Sequence, residues 1–205
     1  MKGKGTHDSL AESMAILISL LEAAGGVTGR SRLQSMVYIL QYVIPELSVY
    51  KFKFPSSSPK SEDLVMDLSM LVASGLIEEG WKPLLLKEHL SPVFEYSTKE
   101  SGTRFLQDFE CLHKRTLLDK SFEPYVKAIA GSREPDLQRA CLQLHRESKV
   151  TNLSPQALIK ARRTGKKIPQ LEKNELGDLL KSLGIDTTKN QMRRKNSKPP
   201  IYRSE

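Results

Sequence analysis

Cysteine is scarce: Cys111 and Cys141 are the only two in 205 residues. Two thiols without a secretory leader do not make a disulfide framework, so both are expected to be reduced and structural. Long apolar runs are absent too. The longest, residues 14–24, is broken by Ser19 and Glu22 and falls short of the roughly 20 apolar residues that a bilayer span needs. The N-terminus has charge but no apolar core followed by a small-residue cleavage site, so no secretory signal is expected and the cytoplasm is the default location. Neither CxxC nor HxxxH spacing occurs, which argues against a four-ligand zinc site. A Gly-Lys-Ser/Thr phosphate loop is also missing. His7, His89 and His145 are scattered, and His113 lies two residues from Cys111, on a different side of any helix carrying both. Carboxylates such as Glu78, Glu79 and Glu95 form no evident catalytic cluster. The expectation is a non-enzyme with no catalytic residue, no metal and no cofactor.

What the chain does have is enough apolar residue to bury a core, 39% against 27% charged, and a strongly uneven charge. Residues 1–150 carry 19 Lys+Arg and 19 Asp+Glu, whereas residues 151–205 carry 13 and 5, which accounts for the whole net +8. A neutral body with a basic extension points to an anionic partner, nucleic acid before membrane.

Apolar periodicity then orders the body. Leu10, Met14, Leu17, Ile18 and Leu21 predict a helix over 8–24, stopped by Gly25-Gly26. After a tight Gly-Gly-Val-Thr-Gly turn, Leu33, Met36, Val37, Leu40 and Ile44 predict a second helix ending at Pro45. Residues 49–54 alternate Val49, Lys51 and Lys53 with Tyr50, Phe52 and Phe54, the pattern of a half-buried strand. Ser61, followed by Glu62 and Asp63, opens a third helix with Leu64, Val65, Leu68, Leu71 and Val72 on one side and Gly75 as its stop. Extended segments from Leu76-Ile77 and over 93–97 flank a loop around Pro83 to Pro92, and a helix carrying Phe105, Phe109 and Leu112 follows. The predicted class is mostly α with a small antiparallel sheet, a winged helix-turn-helix over 1–113. Short helices near Pro124 and Pro135 pack on it over 114–150, the second with Leu137, Ala140, Cys141 and Leu144 on one face. The basic C-terminal helical extension spans 151–205, with a helix opened by Ser154-Pro155, another capped by Asn174, and a disordered final part.

The run Gly29-Arg30-Ser31-Arg32-Leu33-Gln34-Ser35-Met36-Val37-Tyr38-Ile39-Leu40-Gln41 resembles the second helix of the YwgA-like proteins and of the related Panacea (SocA-like) antitoxin domain. Residues 63–77 and 96–102 resemble the following helix, its Gly-Leu-Ile exit and the strand-to-helix close, so the similarity covers about residues 8–113. Phe54-Pro55-Ser56-Ser57-Ser58-Pro59 replaces the Tyr-Gly-Pro-type loop of those families, and the basic extension has no counterpart in them. The resemblance implies a winged-helix module with antitoxin or regulator roles in some members.

For an anionic partner, Arg30 and Arg32 stand at a helix start behind a glycine turn, where a phosphate is favoured; two solvated arginines at a helix junction are the plainer alternative. Lys51 and Lys53 share a face of the expected strand, as phosphate contacts or as lysines guarding an edge. Lys60 is the one cation near the start of the third helix, and Glu62, Asp63 and Asp67 would repel phosphate there. Arg162, Arg163, Lys166, Lys167, Arg193, Arg194 and Lys195 could neutralise phosphates or simply solvate the extension. Aromatic residues do not interleave with those charges before Tyr202, so stacking on single strands is poorly supported. Leu84, Leu85, Leu86 and Leu90, expected in the wing loop, suit burial or a protein partner. The first expectation is therefore a regulatory protein that binds double-stranded DNA, or RNA. The alternative is a protein-interaction module of antitoxin or defence-adaptor type, in either case without membrane association and with a homodimer as a plausible state.

Overall fold

The computed structural model describes residues 6–44, 47–86, 89–151 and 173–185. Helix α1 (Thr6–Ala24) is the central element: Ile16, Leu17, Ile18, Leu20 and Leu21 are all buried, the all-round burial of a helix enclosed by others. It packs against α3, α4, α5 and the sheet. Its chain leaves through Gly25 and Gly26, both at positive φ, and a Cβ on Gly26 would lie 3.1 Å from the Tyr96 carbonyl. That close approach lets Val27–Thr28, expected as part of a turn, form the short strand β1. Helix α2 (Arg30–Val43) and α3 (Glu62–Ala73) follow, then β2 (Ile77–Leu86), β3 (His89–Thr98) and α4 (Glu100–His113). The architecture is mostly helical with a three-stranded antiparallel sheet in the order β1-β3-β2.

Residues 49–54 are not a strand. They keep the expected alternation, with Tyr50 and Phe52 buried and Lys51 and Lys53 exposed, but their one ladder contact is an isolated bridge between Lys53 and Lys60. The reason lies on α2. The buried Gln41 amide donates from Nε2 to the Tyr50 carbonyl at 3.0 Å, and its Oε1 accepts from Tyr50 N–H at 2.8 Å. A side chain thus satisfies backbone groups that a neighbouring strand would otherwise satisfy. Two turns earlier, Gln34 does the same for Ser61, accepting from its N–H at 2.9 Å and donating to its carbonyl at 3.2 Å. Packing then locks the segment. Tyr38 meets Phe52 and Phe54 edge-on at 5.3 and 5.0 Å, and Phe54 stacks on His145 at 4.0 Å.

The loop expected around Pro83 to Pro92 is also replaced, by a continuation of the hairpin to Leu86↔His89. Leu84, Leu85, Leu86 and Leu90 are therefore strand positions. Pro83 stands opposite Pro92, and two residues without N–H can face each other in an antiparallel ladder only at a pair that exchanges no hydrogen bonds, where proline costs the ladder nothing.

After α4, a 3-10 turn (Lys120–Phe122) leads into α5 (Glu123–Ala130) and α6 (Glu134–Thr151), which pack on α1 and α2. Leu137, Ala140, Cys141 and Leu144 are fully buried as expected, and burial pushes the Cys141 thiol up to about 12. Cys111 is exposed, and so is Leu112, which the helix pattern had grouped with the apolar face of α4. Helix α7 (Lys173–Ser182) takes in Asn174 rather than being capped by it, and buries Leu180 with Leu183 and Ile185. No helix among the described residues is long and apolar enough to cross a membrane.

Candidate functional site

Helix α3 begins as its sequence dictates. Ser61 has extended backbone, its hydroxyl accepts from Leu64 N–H at 3.3 Å, and Glu62 and Asp63 occupy the positive end of the helix dipole. Leu64, Asp67, Leu68 and Leu71 recur at helical spacing and are buried. The opposite face is open: Val65 is 44% exposed, Met66 57% and Met70 39%, with Ser69 and Ala73 exposed between and beyond them. Val65, expected on one side of the helix with Leu64, Leu68, Leu71 and Val72, belongs to this outer face. From Ser61 to Trp81 the chain contains no Lys or Arg, so the face is apolar with an acidic N-terminal edge.

Asp67, expected to repel phosphate from this helix, is 4% exposed and turned inward. One carboxylate oxygen accepts from Ser13 Oγ at 2.6 Å and from Tyr50 Oη at 3.0 Å, and the same Tyr50 hydroxyl lies 3.1 Å from the Ser13 carbonyl. The group ties α1, α3 and the 47–54 segment together. Burial raises its pKa, an effect that its two donors only partly offset. For a carboxyl whose folded pKa lies above its unfolded one, the stabilisation is complete in acid and is lost as pH rises through the folded value. Asp67→Asn retains an acceptor and abolishes that loss. It is therefore expected to match the wild type in acid and to be the more stable chain at neutral pH, as urea unfolding at both pH values would show. A variant less stable at neutral pH than in acid, relative to wild type, would contradict this.

Of the cations predicted to meet phosphate, five lie among the described residues, and two of these, Arg30 and Arg32, are hydrogen-bonded within the protein. Arg30 donates from Nε to the Tyr96 hydroxyl at 2.7 Å and from an Nη to Glu79 at 3.0 Å, and its guanidinium sits 4.2 Å from the centre of the Phe94 ring. The Tyr96 hydrogen bond, aided by Arg30, holds the Glu79 carboxyl below its ordinary range, while burial leads in pushing Tyr96 up to about 12. Arg32 reaches across to α5, where an Nη donates to the Ala130 and Ser132 carbonyls at 2.9 and 2.5 Å. It serves the negative end of that helix. Lys53 pairs with Glu62 at 3.0 Å, both side chains strongly exposed, a contact worth little in water. Lys51 and Lys60 are exposed, and the backbone bridge brings Lys60 beside Lys53. Arg162, Arg163, Lys166, Lys167, Arg193, Arg194 and Lys195 lie outside the described residues, as does the helix expected from Ser154-Pro155.

Among the described residues no group of three or more His, Cys, Asp and Glu could hold a metal ion. His113 packs against Phe109 at 4.2 Å. The concavity lined by Arg139, Leu142, Gln143, Arg146 and Glu147 runs along α6 alone. Compared with protein-family models, curated proteins and solved structures, the chain gives no significant match.

Proposed function

We propose that the protein is a winged-helix interaction module that uses the outer face of α3 to hold a protein partner. The order α1-β1-α2-α3-β2-β3 with sheet order β1-β3-β2 supports that reading, in which α3 takes the position that reads DNA in nucleic-acid-binding winged helices. One observation carries the protein-docking reading: that helix presents Val65, Met66 and Met70 behind Glu62 and Asp63, with no cation along its length. Phosphate contacts need Lys, Arg or free backbone donors; α3 itself carries neither Lys nor Arg, and Lys53 meets its first turn only as the exposed partner of Glu62. Methionines on an exposed helix suit an apolar protein surface that they can adapt to. The complementary partner carries an apolar patch edged by Lys or Arg. The resemblance of residues 29–41 to YwgA-like and Panacea antitoxin domains accords with such an adaptor, non-enzymatic and cytoplasmic.

A second reading, duplex DNA or RNA binding, draws on the +8 charge concentrated in residues 151–205. In that case the extension supplies the contacts and the body does not. Full-length protein titrated against labelled duplex DNA over a salt series separates the readings. Replacing Lys51, Lys53 and Lys60 together with Ala is expected to leave affinity and salt slope unchanged. A slope shallower by about 0.9 for each lost phosphate contact would instead place DNA on the body.

A further inference from the structure

Strand β2 is the outer strand of the sheet, and among the described residues no strand pairs with its free side. Two observations fix which of its backbone groups face outward. Gly29 N–H donates to the Phe94 carbonyl at 2.7 Å, so that carbonyl points away from β2, and the Trp81↔Phe94 pair exchanges no hydrogen bonds. The Pro83↔Pro92 pair, two residues on, is of the same kind by chemistry alone. Because the two kinds of pair alternate along an antiparallel ladder, Glu79 and Trp81 turn their N–H and C=O outward and Pro83 turns out its carbonyl, while Ile77, in the same phase, is buried and marks where the open edge begins.

We propose that this edge pairs with the same edge of a second copy of the chain, antiparallel, about a two-fold axis through Gly80. In that register Glu79 of one copy and Trp81 of the other exchange both backbone bonds, twice by symmetry. Position 78 of each copy falls opposite position 82 of the other in this register, which sets a Glu position against a Lys position twice and makes the strand's sequence complementary in charge to itself. Shifting the axis to Glu79 or Trp81 sets Gly80 opposite Glu78 or Lys82 and loses both charge pairs. Gly80 suits the axis, since its nearest neighbour for an added Cβ is 3.9 Å away. Trp81, the only tryptophan and 68% exposed, lies diagonally across from its counterpart, within reach of aromatic contact. Two three-stranded sheets become one of six strands, and an edge that would otherwise invite aggregation is closed by symmetry. The proposal rests on β2 alone and does not depend on what α3 binds.

Sedimentation velocity of the full chain over a concentration series, read together with Trp81 emission, is the test. The wild type is expected to dimerise with a blue shift in emission that tracks the dimer fraction. Glu78→Lys and Lys82→Glu should each weaken the dimer by roughly tenfold, since each turns two attractive cross-strand pairs into two repulsive ones. Mixing the two variants restores both pairs, so a heterodimer of wild-type affinity is expected, with unchanged far-ultraviolet circular dichroism confirming that each variant folds. A wild type that stays monomeric to millimolar concentration overturns the proposal. So does a dimer indifferent to both charge reversals, or an edge occupied only by an unrelated extended peptide.

Discussion

Gln41→Ala is expected to lower the unfolding free energy by about 4 kcal/mol. The side chain is fully buried and grips Tyr50 at both its N–H and its carbonyl, with Val49 N–H also directed at Oε1 from 3.3 Å. Cutting it back strands a buried donor and a buried acceptor, each costing about 1–3 kcal/mol when left unpaired, and opens a cavity beside them. Gln41→Glu should rescue little, because it keeps the acceptor, loses the donor to the Tyr50 carbonyl and brings a charge into the core. Urea unfolding measures the difference. A loss under about 1 kcal/mol would mean that water replaces the amide and that the 47–54 segment is held by its aromatic contacts alone.

Gly102→Ala carries the second large effect, expected at about 3 kcal/mol or more. Gly102 lies in α4, and a Cβ there would come within 2.2 Å of the Leu76 carbonyl oxygen and 2.9 Å of Thr98 Cγ2. The carbonyl has little freedom to retreat, because Lys99 N–H holds it at 3.1 Å just before α4 begins. The helix must therefore tilt off the sheet, disturbing Leu106 and Phe109 beneath it. Gly177 in α7 is the control. Its nearest neighbour for a Cβ is a Tyr125 ring atom at 3.9 Å, ordinary contact, so Gly177→Ala should stabilise by about 0.5–1 kcal/mol through helix propensity. Thermal melts of the two variants should move in opposite directions, and a Gly102→Ala protein as stable as wild type would show that α4 does not sit on Leu76 as described.

The helices were legible because each follows one rule throughout. The capping Ser61, the acidic first turn and the left-handed Gly75 delimit α3 in sequence as they do in space. Residues 49–54 show where pattern stops short. Period-two alternation reports an extended chain with two unlike faces, and that much is true of Tyr50 to Lys53; it does not report what satisfies the backbone. Gln34 and Gln41, seven residues apart and so on one face of α2, were the available signal, since buried amides at helical spacing can clamp a neighbouring chain. The strand Val27–Thr28 was hidden because two residues are too few to show any period. Prolines read as loop residues at 83 and 92 face each other in the ladder, a fact that only the register reveals.

The site was legible in its charge and not in its contacts. Sequence alone put acids and no cations on α3, but apolar character alone cannot tell Val65, exposed, from Leu64, buried one residue away. In the same way the positions of Arg30 and Arg32 suggested phosphate contacts, while Tyr96, Glu79 and the α5 carbonyls that engage them lie 49 to 100 residues away in sequence.

A photo-crosslinking residue at position 66 of the full-length chain, activated in cells that express it, distinguishes a protein from a nucleic-acid occupant of the α3 face. The expected product is a protein adduct that resists nuclease treatment and disappears when Met70 is changed to Lys. An adduct consisting of nucleic acid, or a protein adduct indifferent to Met70→Lys, would contradict the assignment of the α3 face to a protein partner.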